Sequence, residues 1–462
     1  MASKAWEIAG PTSPFALHLD QRYLLISELR LTSGETLVNA PIAFKTYGKL
    51  NAQGTNAIVV CHAVSGNALA AEWWDTLVGP GKVIDTERFF VVCCNALGSP
   101  YGSASPVTRQ GGELIDNGEW RPAAFVQASE LQTQKTWWGS DFPQTTLRDD
   151  VHAHKQVLDY LGVEQVVLVI GGSMGGMLSL EWPLCYPVRY PTSRDALAQT
   201  KDASRKYIKA VAVMACPARH SAWAIAWSEI QRRTIQADQR FENGAYLLSN
   251  PPTQGLAAAR MCAMITYRYY ISLERRFERM RGKQNLRKPA APVTTSPTSV
   301  SISVVEKDDL VTAPTGHQPE DPQDRETYAV QSYLHHHGRK FNDRFDANCY
   351  IHLTLKLDEH DAARDRHSWS HRKQSTDGLG TLEDVLSHLG TSPIGCQVLI
   401  FSITSDVLYP SQEQQFLHES IPNSKLITID SNEGHDAFLL EFHQIEKPVR
   451  DFVQSVDRPA KM

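Results

Sequence analysis

Residues 166–181 read VVLVIGGSMGGMLSLE. The apolar run 166–170 has the length and branching of a buried strand, and 177–182 continues as an apolar, helix-compatible stretch. Between them, Gly171-Gly172-Ser173-Met174-Gly175 has the form of a nucleophile elbow. A strand-to-helix turn of this kind is so tight that its central residue takes a strained backbone, and only glycine two places before and after leaves room for it. The pattern predicts Ser173 exposed at the top of a sheet. It also sets the Met174 N–H at a helix N-terminus beside the attacking hydroxyl, where it can hold an oxyanion.

A serine needs a base and the base an orienting acid, in the chain order serine, acid, histidine when the scaffold is an α/β-hydrolase fold. The sequence supplies both in that order. Residues 397–403 (QVLIFSI) read as a buried strand, and Asp406 follows in the loop after it. One more strand, 425–429, leads to His435 in a glycine-flanked loop before an apolar helix. Taken singly, an aspartate after a strand is more often a turn former or cap, and a loop histidine, among 17 in the chain, is usually solvated. Joint order and strand-end position single out Ser173, Asp406 and His435. Asp149, Asp150, His152 and His154 precede the serine and read as the start of a helix. His220 follows the next strand with no acid in the expected place. A second oxyanion donor belongs after an earlier strand, and 57–61 (AIVVC) followed by His62-Ala63-Val64-Ser65-Gly66 assigns it to the Val64 N–H.

These motifs extend into a set that covers most of the chain: CHAVSG (61–66), FFVVCCNALGSPYGSASP (89–106), FPQTTLRDDVHAHKQVLDYLGV (142–163) and GGSMGGMLSLEW (171–182). ARHSAW (218–223), GLAAARMCAMITYR (255–268), YAVQSYL (328–334), RFDANCYIHLT (344–354), SDVLYP (405–410) and GHDAFLLE (434–441) follow. As a set they resemble the homoserine O-acetyltransferase family of α/β-hydrolase-fold acyltransferases, in its fungal form. The resemblance implies acetyl transfer from acetyl-CoA to the hydroxyl of L-homoserine, a step towards methionine, through an acetyl-serine intermediate. It places the nucleophile on Ser173, the acid and base on Asp406 and His435, a substrate-binding arginine on Arg260, and further substrate contacts on Tyr267 and Asp436. An amino-acid acceptor carries a carboxylate and an ammonium, which suit a guanidinium fork and a carboxylate. The resemblance also implies a homodimer built through lid helices, with 328–334 a contributor. No bound cofactor is expected; acetyl-CoA is a co-substrate.

The fold predicted is α/β, a mostly parallel central sheet flanked by helices, with an inserted helical lid. Residues 1–216 and 396–462 form the core, and 217–395 the lid, which can keep water from an acyl-enzyme. Within the lid, 286–324 is rich in Pro, Ser and Thr and is expected to be a disordered loop. The stretches 109–136 and 187–205 read as insertions relative to the family. The oxyanion loop also departs from it, with valine and serine at 64 and 65 where leucine and threonine are more usual. Serine or deacetylcephalosporin C therefore stand as alternative acceptors, and an esterase as a third reading, one with no need of Arg260 or a long lid.

The chain has 462 residues, 42% hydrophobic and 21% charged, enough for one large core and a cap. A net charge of −5 without a basic block argues against nucleic acid or an anionic membrane as partner. The absence of a long apolar run or leader-like N-terminus predicts a cytoplasmic protein. Eight cysteines without a C-x-x-C pair read as reduced, mostly buried thiols. Adjacent His335, His336 and His337 do not converge on a helix, so no metal is expected there.

Overall fold

A nine-stranded sheet organises the chain. The computed structural model describes residues 4–116, 119–121, 137–187, 206–281, 328–366, 369, 379–391 and 395–457. In chain order the sheet strands are β1 (Ala5–Ile8), β2 (Arg22–Arg30), β3 (Thr36–Tyr47), β4 (Ala57–Cys61), β5 (Phe90–Cys94), β6 (Val166–Gly172), β7 (Ala210–Met214), β8 (Gln397–Ile403) and β9 (Lys425–Ile429). They lie in the order β1-β2-β3-β5-β4-β6-β7-β8-β9. From β5 to β9 all neighbours are parallel, while β1, β2 and β3 form an antiparallel edge.

Strands with helices on both faces must be apolar at every position, because successive side chains point to opposite sides. The sequence AIVVC does this: Val59 and Cys61 join one core, Ile58 and Val60 the other. On the first face pack α1 (Leu147–Tyr160) and α2 (Met174–Cys185), through Val151, Val157, Met177 and Leu180. On the second, Ile445, Val449 and Phe452 of the C-terminal helix (Phe442–Val456) seal the sheet. The start of α1 is a reciprocal cap, in which the Thr146 hydroxyl accepts from the Asp149 N–H and the Asp149 carboxylate from the Thr146 N–H. The 149–154 stretch is thus a helix start, as its sequence predicts.

Between β7 and β8 the described residues add no strand to the sheet. They form α3 (Ala222–Gln236), α4 (Thr253–Tyr267), α5 (Tyr270–Phe277), α6 (Ala329–Asn342), α7 (Ala347–Asp358) and α8 (Leu379–Gly390). Two helical runs, α4 with α5 and α6 with α7, are each broken into a pair. The first breaks where Arg268 and Tyr269 are extended, at ψ 146° and 150°. The second breaks before Asp346, whose carboxylate caps α7 by accepting from the Cys349 N–H at 2.9 Å.

The expected disordered loop 286–324, residues 188–205 of one predicted insertion and 122–136 of the other lie outside the described residues. Before residues 122–136, Leu114–Asp116 pairs antiparallel with Glu119–Arg121. All eight cysteines are free, six of them buried. No described helix is long and apolar enough to cross a membrane, and no metal-binding cluster of His, Cys, Asp or Glu occurs among the described residues.

Candidate active site

Ser173 follows β6 directly, with φ 59° and ψ −127°, a conformation that non-glycine residues avoid. Its N–H is held by the Met214 carbonyl of β7 at 3.0 Å. A Cβ at Gly175 would run into the Cys61 carbonyl, and one at Gly172 into the Phe438 ring. The glycines are therefore needed for packing as well as for the turn. Ser173 stands at the sheet top as predicted, but it is only 9% exposed.

The loops after β8 and β9 bring Asp406 and His435 together. His435 Nδ1 donates to Asp406 Oδ2 at 2.7 Å, and Asp406 Oδ1 accepts the N–H groups of Leu408 and Tyr409, each at 2.9 Å. The Gly434 N–H donates to Ser405 Oγ at 3.0 Å, tying the two loops. Rings of Tyr409 and Phe438 flank the imidazole at 5.3 and 5.5 Å. Burial lowers the proton affinity of His435, but the charge and hydrogen bond of Asp406, with a smaller contribution from Asp436, outweigh it and raise the pKa above the ordinary 6.5. Nε2 of His435 is buried and has no hydrogen-bond partner among the described residues.

After β4, the chain turns through His62 and Ala63 to Val64. The Ala96 N–H donates to His62 Nε2 at 3.0 Å, so the ring proton sits on Nδ1 and donates to the Ala63 carbonyl at 2.7 Å. Burial pushes the His62 pKa down to about 4, which keeps the ring neutral and this tautomer fixed. A trans peptide points its N–H opposite its carbonyl, so the ring also sets the direction of the Val64 N–H. Neither Val64 nor Met174 donates its N–H within the described structure. Ala96 is itself anchored through the next residue: the Leu97 N–H donates to Asp150 at 2.8 Å and Lys356 of α7 donates to the Leu97 carbonyl at 2.7 Å. Asp150 and Lys356 form an ion pair at 2.7 Å with both side chains 0% exposed.

Arg260 is buried on α4, its guanidinium 4.9 Å from the Phe341 ring centre and 5.3 Å from that of Tyr267. Asp436 lies beside a second arginine. Its carboxylate lies 3.2 Å from Arg268, which also holds Glu433 at 2.9 Å. A Cβ at Gly434, φ 71°, would strike the Tyr267 carbonyl and the Tyr269 N–H. The α4–α5 break therefore lies directly on the loop of His435.

A family model described as alpha/beta hydrolase fold matches residues 56–442. The chain is 39% identical over 439 residues to homoserine O-acetyltransferase FUB5 of Gibberella fujikuroi, covering 95% of this chain and 89% of that protein. It is 38% identical to the homoserine O-acetyltransferase of Emericella nidulans, with 96% and 89% covered, and 38% identical to that of Saccharomyces cerevisiae, with 94% and 86% covered. The chain belongs to the homoserine O-acetyltransferase family. Among solved structures, the fold of this family member is similar to a homoserine O-acetyltransferase from Bacillus anthracis, at TM-score 0.67 and 19% identity over 96% of this chain and 98% of that one. It is equally similar to esterase E22, at TM-score 0.66 and 20% identity over 94% and 99%.

In this family member, two groupings escape the sequence. His220 does have an acid beside it: Asp358 of α7 lies 3.3 Å from Nδ1 and is itself bound by Arg232 at 2.7 Å. His220 Nε2 meets the Tyr409 hydroxyl at 3.1 Å, so this histidine braces the loop of Asp406 from the lid side. The other grouping is Arg268 with Asp436 and Glu433. Arg268 closes the GLAAARMCAMITYR motif, and only its break in helical backbone marks it out.

Proposed function

We propose that the chain transfers an acetyl group from acetyl-CoA to the hydroxyl of L-homoserine, through a covalent acetyl-Ser173, in methionine biosynthesis. The observation that carries the reading is the bonded Asp406–His435 pair on the same sheet edge as a strained elbow serine, in a chain whose relatives over 94–96% of its length are named homoserine O-acetyltransferases.

In the first half-reaction His435 Nε2 takes the Ser173 proton as Oγ attacks the thioester carbonyl. The N–H groups of Val64 and Met174 hold the oxyanion. The carbon–sulfur bond then breaks, and the imidazolium returns its proton to the leaving CoA thiolate. In the second, the homoserine hydroxyl gives its proton to His435 and attacks acetyl-Ser173; the ester forms and Ser173 regains a proton from the imidazolium. Asp406 holds the tautomer and stabilises each imidazolium. Arg260 takes the acceptor carboxylate, with Tyr267 against its guanidinium, and Asp436 takes the ammonium while sharing its charge with Arg268.

The lid, 217–395, keeps water from the acyl-enzyme. A homodimer through the lid helices belongs to the same proposal, and Trp223 and Ile230, 52% and 47% exposed on α3, offer an apolar face for it. A cytoplasmic location also belongs to it.

The test follows CoA thiol release from acetyl-CoA with homoserine, serine, deacetylcephalosporin C or no acceptor. Release that depends on homoserine supports the reading. Dependence on another acceptor replaces the substrate, and steady release with none makes the protein a hydrolase. In the same assay His62→Ala is expected to lower kcat about tenfold to a hundredfold with the KM for homoserine little changed, since the lost ring orients an oxyanion donor and touches no substrate.

A further inference from the structure

Arg344, in the short link between α6 and α7, is a half-buried cation that nothing in the proposed chemistry uses. No carboxylate lies within ion-pairing distance of it among the described residues, although Asp343 and Asp346 are close in sequence. The Asp346 carboxylate is taken by the Tyr246 hydroxyl and the Cys349 N–H, at 2.6 and 2.9 Å. Arg344 instead reaches the loop that carries Val64, donating from Nη1 to the Ser65 carbonyl at 3.4 Å. Its guanidinium lies 5.1 Å from the centre of the Phe341 ring, the same ring against which Arg260 sits at 4.9 Å.

Two guanidiniums thus share one aromatic ring. The second of them abuts the oxyanion loop. Tyr101, 4% exposed, lies in the field of both: burial pushes its phenol pKa up, while Arg344 and, more weakly, Arg260 pull it back. Arg344 carries its charge without a carboxylate within ion-pairing distance among the described residues and packs against the same ring as a second cation, so an anion bound beside it is favoured.

We propose that Arg344 is a second binding residue for the acceptor carboxylate, acting with Arg260, which packs against the same Phe341 ring, and with the Tyr101 hydroxyl beside it. The inference rests on the reading of Arg260 given above. A short carbon chain separates the carboxylate of homoserine from the hydroxyl that attacks, so a cation touching the oxyanion loop is within its reach. The phosphates of acetyl-CoA are at the far end of the pantetheine arm, away from that loop. A guanidinium fork also distinguishes a carboxylate from a neutral isostere, which presents only one good acceptor.

The experiment compares homoserine with homoserine amide as acceptor in the wild-type enzyme, Arg344→Gln, Arg344→Lys and Arg260→Gln, measuring KM, kcat and the acetyl-CoA-driven burst of thiol. In Arg344→Gln the KM for homoserine is expected to rise about tenfold to a hundredfold, and the preference for homoserine over its amide to shrink by a similar factor. Arg344→Lys, which keeps charge without the fork, recovers part of that preference. If the loss falls instead on the burst, or if Arg344→Gln keeps the full preference while the wild type shows one, the assignment of Arg344 is overturned. A wild type that does not prefer the carboxylate, or an Arg260→Gln variant that keeps the preference, overturns the reading of Arg260 on which it rests.

Discussion

Ser173→Ala removes acetyl transfer altogether on the scale of the assay, a loss on the order of a millionfold in kcat. Removing the hydroxyl takes away the atom to which the acetyl group bonds, so neither half-reaction has a route through the enzyme. The expected size is that of deleting a nucleophile in a triad that works as a unit, where the remaining members contribute little without it. Intact-protein mass spectrometry after mixing with acetyl-CoA alone makes the test direct. The wild type gains the mass of one acetyl group, and the variant does not. Methyl for hydroxymethyl at a 9% exposed position leaves packing nearly unchanged, so folding is not the expected cause of the loss. An acetyl adduct that persists in the variant would place the nucleophile elsewhere. The thiols nearest in the fold are poor substitutes, since burial pushes Cys61 up to about 12 and keeps it protonated at neutral pH.

Asp406→Asn is the second large effect, about ten-thousandfold in kcat. The carboxylate accepts three hydrogen bonds, two from backbone N–H groups and one from His435 Nδ1. An amide with its oxygen kept on the backbone donors presents NH2 to the ring, which forces the proton onto Nε2 and leaves no base for the serine. The pH dependence carries the sign. His435 works as a base when neutral, and its pKa lies above 6.5 because Asp406 outweighs burial. Activity in the wild type is therefore lost as pH falls through that raised value. Without the Asp406 charge, burial is opposed by the smaller influence of Asp436, so the acid limb of the residual kcat/KM moves to lower pH. A limb that stays in place would mean that another group titrates.

Much of this was legible because it is local. A buried strand, a glycine-serine-glycine turn and a helix are one continuous stretch, and strand-end loops at 406 and 435 follow from short apolar runs. The parallel sheet from β5 to β9 was legible in the same way. The rest is side-chain pairing between segments far apart in the chain. Nothing near Asp436 announces that Arg268 shares its charge, because the pairing depends on where α4 breaks over the histidine loop. His220 gains its acid from a helix more than a hundred residues later, and a single histidine carries no periodic signal of that. The role of His62 is likewise a matter of tautomer, fixed by an N–H from the loop after β5. The antiparallel edge formed by β1, β2 and β3 contains no motif that the chemistry needs.

The Asp150–Lys356 pair has a consequence for traffic through the site. It joins a helix of the core to a helix of the lid with both charges shut away from water. Lifting α7 would separate them and give up a charge–charge contact made away from water, where it is least screened. This part of the roof is riveted rather than hinged. A route for substrate that needed α7 to swing away from the core would have to break this pair first.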